Sequence, residues 1–331
     1  MDWEVIFRNA ILAGISREAA VYAIAAVGLN VHFGYTGLLN FGQVGFMSIS
    51  AYGVGISITQ YGAPVWLAFI IGLLAAVFLA LLLGVPTLRL RADYLAIVTI
   101  AASEIIRLTF RSVALTDWSG GSNGINGFAD GFYVWNPFDP SVAYGFGSVK
   151  VFGNQAYIII VGWTLAVLVT LLVWLLMRSP WGRVLKSIRE DEDAARALGK
   201  NAYWYKMQSL ILGGVLGGLA GIVLSVGQST VQPDVYSPPV TFFIWTALIL
   251  GGVGRIWSPI FGAVAFWMIL SLANNVLDQA TQAGIVPAAV TAGVRGGSIR
   301  FMIVGLGLML LMAFRPQGVF GDRNEMMLAD R

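Results

Sequence analysis

The sequence predicts an all-α integral membrane protein, a polytopic helical bundle of about eight to ten transmembrane elements, some of them broken or re-entrant. Composition is the first sign: hydrophobic residues make up 57% of the 331, charged residues only 11%, and mean hydropathy is +0.77. An ordinary soluble domain carries ~25% charged residues. Recurrence is the second: apolar stretches fall near residues 18–33, 43–60, 65–85, 93–111, 156–177, 207–227, 240–254, 259–277 and 299–314. Their length is the third. Several are shorter than the ~20 residues that a straight helix needs to cross hydrocarbon.

The first two stretches flank the most unusual segment, GYTGLLNFGQVGFMSISAYG at 34–53. It is apolar enough for a bilayer, yet it carries Gly34, Gly37, Gly42, Gly45 and Gly53 beside the amides Asn40 and Gln43. Glycine weakens a helix by ~1 kcal/mol per site relative to alanine, and an unpartnered buried amide costs roughly 1–3 kcal/mol. The glycines can serve close helix packing. Alternatively, TGLLNFGQVG is a break between two half-helices whose freed groups, with Asn40 and Gln43, face an aqueous path or pin the break. Gly37, Gly42 and Gly45 belong to this candidate pathway.

The stretch at 65–85 is an uninterrupted apolar span. The one at 93–111 contains SEIIRLTFR, in which Glu104, Arg107 and Arg111 share one helix side. Glu104 lies about 16 Å along the helix from Asp93. Ionisable groups at that depth face the bundle interior and pair. Glu104 and Arg107 are read either as a structural ion pair or as part of an outer mouth that meets a zwitterionic solute. In the span at 207–227, Gly213, Gly217 and Gly221, with Gly214 and Gly218 beside them, form a packing stripe.

The loops give the orientation. Residues 178–206 hold Arg178, Arg183, Lys186, Arg189, Arg196, Lys200 and Lys206, the largest basic cluster, and are expected in the cytoplasm. Arg89, Arg91, Arg255, Arg323 and Arg331 fit the same side, whereas 112–155 has Lys150 as its one base below Arg111 and fits the outside. Alternation puts the N-terminus outside and the C-terminus inside. The chain reads as one membrane domain, 1–321, with a short polar cytoplasmic tail, 322–331. MDWEVIFRNA lacks a basic n-region, so no removable signal peptide is expected.

Cysteine is absent, so disulfides and thiolate metal sites are excluded. The single histidine, His32, lies in an apolar run and reads as structural. Redox, haem and zinc chemistry are not expected, and no cofactor is expected on this chain. The pI of 9.2 reflects loop charge and does not point to nucleic acid. No G-x-x-x-x-G-K-[ST] run is present, and no Ser/His/Asp set suggests an enzyme. Within 178–206, REDEDAARALG reads as one short helix with acids in its first turn and Gly199 as its stop. A helix of that length needs something to dock against.

Asp193-Ala194-Ala195, three residues, then Gly199 resembles the Glu-Ala-Ala-x-x-x-Gly loop of ABC importer permeases. It departs from that pattern in its first residue, where Asp replaces Glu, and in lacking a clean Ile-x-Leu-Pro afterwards. The blocks GYTGLLNFGQVGFMSISAYG, PTLRLRADYLAIVTIAASEIIRL, GSNGINGF, SPWGRVLKSIREDEDAARALG, GGVGRIWSPIFGA and FRPQGVFG follow in order. Together, from about 20 to 321, they resemble the LivM-type permeases of branched-chain amino acid ABC importers. The resemblance implies a permease subunit in a bacterial cytoplasmic membrane that moves Leu, Ile and Val. It implies separate ATPase subunits, a second LivH-like permease and an extracytoplasmic solute-binding protein. It also implies that Asp193, Ala194, Ala195, Arg196 and Gly199 couple to the ATPase. Similar permeases serve urea and other small amides or amino acids, and an ion-coupled secondary transporter with a broken-helix site is the rival from another class.

Overall fold

The computed structural model describes residues 2–89, 92–146 and 149–283, with isolated helical positions between 302 and 309. The predicted span at 299–314 and the tail fall outside the described residues. α1 (Trp3–Gly14) and α2 (Arg17–Leu29) meet at a 43° bend, and α2 runs on as a single π-helical turn, Asn30–Gly34. Then come α3 (Gln43–Tyr61), α4 (Val65–Thr87) and α5 (Ala92–Arg111).

The predicted outer loop holds two four-residue helices, α6 (Thr116–Ser119) and α7 (Asp130–Tyr133). It also holds a two-residue strand β1 (Ile125–Asn126) and the hairpin β2 (Ala143–Phe146)–β3 (Val149–Phe152). Beyond it lie α8 (Gly153–Arg178), α9 (Pro180–Glu190), α10 (Glu192–Ala197) and α11 (Ala202–Gln228). Strand β4 (Thr230–Val231) pairs antiparallel with β1, and α12 (Pro238–Gly251) and α13 (Ser258–Gln282) complete the described chain.

Among the described residues, four helices, α4, α8, α11 and α13, are long and apolar enough to cross a membrane, and the bent α1–α2 pair makes a fifth where it is taken as one span. α3 and α5 are long enough but carry serines, threonines or charges, and α12 is short. The hydrophobic reading of α4 and α8 has a simple cause. Their outer faces present Phe78, Leu82, Leu168 and Leu175 to the surroundings, as hydrocarbon requires.

α2 is the axis of the bundle. Every residue from Ala19 to Leu29 is buried, beneath α8, α11, α12 and α13. α11 in turn packs against α2, α3 and α4. Small residues make this possible. A Cβ on Gly28 would lie 2.6 Å from the Gly213 carbonyl oxygen, and one on Gly221 would collide with the Met47 backbone. The packing role assigned to the α11 glycines is backbone approach at Gly213 and Gly221, whereas Gly214, Gly217 and Gly218 make room for the side chains of Phe46, Gln43 and Ser50. We expect Gly221→Leu to lower stability by roughly 1–3 kcal/mol through overpacking, read as a lower melting temperature and lower monodisperse yield of the detergent-purified protein.

Candidate functional site: a satisfied helix break and two charged clusters

The chain leaves helical geometry after Tyr35–Thr36 and resumes it at Gln43. Gly37 sits at φ +74°, in the left-handed region that favours glycine. Gly42 and Gly45 allow close approach to α5: a Cβ on Gly42 would strike the Thr99 carbonyl, and one on Gly45 would lie 3.0 Å from the Ser103 Cβ. Side chains from other helices take up the freed backbone groups. Thr99 of α5 accepts from the Phe41 N–H at 3.1 Å, and Thr241 of α12 accepts from Val44 N–H at 3.1 Å. The Trp245 indole donates to the Asn40 carbonyl at 3.0 Å.

The two amides close the arrangement. Asn40 Nδ2 donates to His32 Nδ1 and to Gln43 Oε1, both at 3.0 Å, while Asn40 Oδ1 accepts from Gly42 N–H at 2.8 Å. Gln43 Nε2 donates to the carbonyls of Ala25 on α2 and Gly213 on α11, at 3.3 and 3.1 Å. His32 Nε2 donates to the Leu210 carbonyl at 3.1 Å, which fixes the tautomer with Nδ1 as acceptor. Asn40, Gln43 and His32 are completely buried. In this conformation both amides pin the break, and neither opens onto a cavity.

On the other side of the π-turn, Asn30 brackets the bend between α12 and α13. Its Nδ2 donates to the Arg255 carbonyl at 2.8 Å and its Oδ1 accepts from Gly254 N–H at 2.9 Å. Arg189 of α9 donates to the Gly34 carbonyl and packs beside Gly37. Sequence reading missed Asn30, Arg189, Thr99, Thr241 and Trp245 as parts of the break. Arg189 was one base among seven in its loop, and nothing local set it apart.

Glu104 and Arg107 are bidentate partners, at 2.9 and 2.5 Å. The pair extends to a four-charge cluster that spacing alone did not show. Asp234, from the 3-10 turn Pro233–Tyr236, accepts from Arg107 at 2.9 Å and from Arg111 at 3.2 Å. The cluster is electrically balanced and partly open: Glu104 is 34% and Asp234 59% exposed, against 13% for Arg107. Thr99 and Glu104 are five residues apart on α5, so break and cluster are roughly 8 Å apart along one helix.

At the other end of the molecule, the stretch read as one helix is two. Asp191 adopts an extended conformation and its carboxylate accepts from Ala194 N–H at 2.9 Å, capping α10 and ending α9. Ala195 packs in a small cluster with Ile188 and Ala202. Glu192 pairs with Arg196 at 2.7 Å and also with Lys206 of α11. Asp193 and Arg196 lie 3.7 Å apart and are exposed, as are Ala194, Ala197 and Leu198. Gly199 turns the chain at φ +75° with open space around it.

A bundle of membrane-crossing helices that folds a non-helical, side-chain-satisfied segment into its middle has the build of a polytopic transport protein. The chain belongs to the family described as the branched-chain amino acid transport system / permease component, whose model matches residues 11–314. It is 30% identical to the high-affinity branched-chain amino acid transport system permease protein LivM of Salmonella typhimurium, over 92% of this chain and 69% of that one. The same figures hold for LivM of Escherichia coli K12. The nucleoside ABC transporter permease protein NupC of Lactococcus lactis is 26% identical over 85% of this chain and 86% of its own. The chain is thus a transport subunit, a multi-pass permease component of the ABC class.

Removing Asn40 strands the Gly42 N–H, His32 Nδ1 and Gln43 Oε1 together. We expect Asn40→Ala to cost roughly 1–3 kcal/mol for each buried group left unpaired, seen as a depressed thermal melting point of the purified chain; a wild-type melting point would show that the network does not hold the break.

Proposed function

We propose that the chain is the membrane-spanning permease subunit of an importer that carries branched-chain amino acids inward, driven by ATP hydrolysis on separate subunits. The family match across residues 11–314 carries this reading. A second, LivH-like permease and an extracytoplasmic solute-binding protein complete the assembly. The basic 178–206 segment faces the cytoplasm, the 112–155 loop faces outward, and the C-terminus lies inside. In this reading the one membrane domain, 1–321, binds no cofactor of its own.

In this mechanism α5 borders the path. It touches the helix break through Thr99 and Ser103 and bears the Glu104–Arg107–Asp234–Arg111 cluster nearer the outer face. A zwitterion presents one ammonium and one carboxylate, which match the two kinds of charge in this balanced cluster. Opening the path requires the break to rearrange, which brings Gly37, Asn40, Gly42, Gln43 and Gly45 to its wall. The inward stroke reaches the break by α9, because Arg189 holds the Gly34 carbonyl. α10 supplies the ATPase contact: Ala195 seats it on the membrane domain, while Asp193, Ala194, Arg196 and the Gly199 turn face outward from it.

Uptake of labelled leucine, isoleucine and valine in cells lacking this chain and redundant importers tests the substrate. Uptake should return with the wild-type chain and fall with Glu104→Gln at unchanged membrane abundance. Rescue of nucleoside uptake alone would move the substrate to the NupC-like class. In the assembled transporter, Gly199→Pro cannot adopt a positive φ. ATP hydrolysis should then persist while transport per ATP drops severalfold, and unchanged coupling would remove α10 from the transmission path.

A further inference from the structure

Helix α3 buries the hydroxyls of Ser48, Ser50 and Tyr52 and leaves them without a hydrogen-bond partner among the described residues. A serine or threonine inside a helix can return its hydroxyl to the carbonyl one turn back, as Ser57 and Thr59 of the same helix do at 2.6 and 2.8 Å. A buried tyrosine usually finds a partner for its hydroxyl, as Tyr236 does at the Gly221 carbonyl. Alanine or phenylalanine would fill the same space without a desolvated polar group, so these hydroxyls lower the stability of this conformation.

Position separates the three. Ser50 faces α11, where Gly218 makes room for it. Tyr52 faces α5: its ring stacks on Phe110, with centroids 3.9 Å apart and planes 14° from parallel. The two helices stay in step from the break up to that stack, with Gly42 against Thr99, Gly45 against Ser103 and Tyr52 against Phe110. Tyr52 therefore stands level with the charged cluster, since Phe110 lies between Arg107 and Arg111. Ser48 is one turn nearer the break on the same side of α3. The turn Pro233–Tyr236, which brings Asp234 to both arginines, packs against α3 and α5 alike. The α3–α5 seam thus leads from the cluster to the break, and the hydroxyls of Tyr52 and Ser48 are set along it.

We propose that Tyr52 and Ser48 contact the solute, holding the charged head of a zwitterionic amino acid as it passes from the cluster towards the break. A hydroxyl donates to a carboxylate and accepts from an ammonium, so each residue suits both charges of one solute. The ring stack and the glycine contacts close the seam in this conformation. The hydroxyls gain their partner when α3 and α5 part, and the cost of their desolvation is relieved at that step. The assignment rests on the amino acid importer reading above.

The test uses the importer assembled with its ATPase subunits and binding protein. Tyr52→Phe keeps the ring and removes only the hydroxyl. The variant should melt at or above the wild-type temperature, while uptake of labelled leucine at saturating supply should fall about tenfold, the scale of one hydrogen bond to a charged group. Ser48→Ala should act in the same direction, and Ser50→Ala should leave uptake unchanged. The chain has no cysteine of its own, so Ser48→Cys and Ser50→Cys each supply a single thiol. During ATP turnover a charged methanethiosulfonate should label Ser48→Cys severalfold faster than Ser50→Cys, read by mass spectrometry of this chain. A lower melting temperature for Tyr52→Phe makes its hydroxyl structural and overturns the proposal. Equal labelling at the two positions, or an equal loss of uptake in Ser50→Ala, overturns it as well. Failure of the wild-type importer to move leucine overturns the branched-chain reading, whereas wild-type transport matched by Tyr52→Phe overturns this proposal alone.

Discussion

Inside hydrocarbon, a polar backbone group has only the protein to bond with, and each one left alone costs several kcal/mol. The break between α2 and α3 lives under that constraint. Its solution is a small set of side chains borrowed from two helices, Thr99 from α5 and Thr241 and Trp245 from α12, with Gln43 reaching the carbonyls of α2 and α11. The arrangement of the surrounding helices follows from it. α5 and α12 must come within hydrogen-bond reach of residues 40–44, and α11 must approach α2 closely enough for one amide to bridge both.

That closeness explains the distribution of small residues. Gly28 and Gly213 face each other where the bridge is made, and Gly42 and Gly45 bring α3 against α5. The break and the packing stripe, which look like separate features of the sequence, are one device. Tight backbone contact supplies the carbonyls, and the amides use them. His32 completes the set as a neutral donor and acceptor, which gives the one histidine a specific structural task.

Much of this was legible in the sequence, and the physics says which part. α4, α8, α11 and α13 announce themselves because a membrane span must be apolar along its whole length, and no tertiary context is needed to see it. The break was legible because glycines and amides are expensive in such a setting. The Glu104–Arg107 pair was legible because helical spacing is local. Asp234 was not, since it arrives from more than a hundred residues away and its own neighbourhood reads as an ordinary turn. The split of α9 from α10 was hidden for a different reason. Asp191 is as acceptable inside a helical first turn as at a cap, and only its extended backbone decides between them. The same holds for the π-turn at Asn30–Gly34, which differs from an α-helix by one hydrogen-bond register and has no residue signature.

The two-residue ladder between β1 and β4 joins the 112–155 loop to the chain that leaves α11, with Gly127 N–H adding a bond to the Ser229 carbonyl. α11 continues without interruption to Ala202, and its Lys206 grips Glu192 of α10. From Gln228 to Lys206 is roughly 33 Å at helical rise. The loop on one face and the capped helix on the other are therefore the two ends of a single rod. Tilt or axial displacement imposed at one end is carried along that rod, and the rod also holds the break along its length, where Gln43 bonds the Gly213 carbonyl and His32 the Leu210 carbonyl.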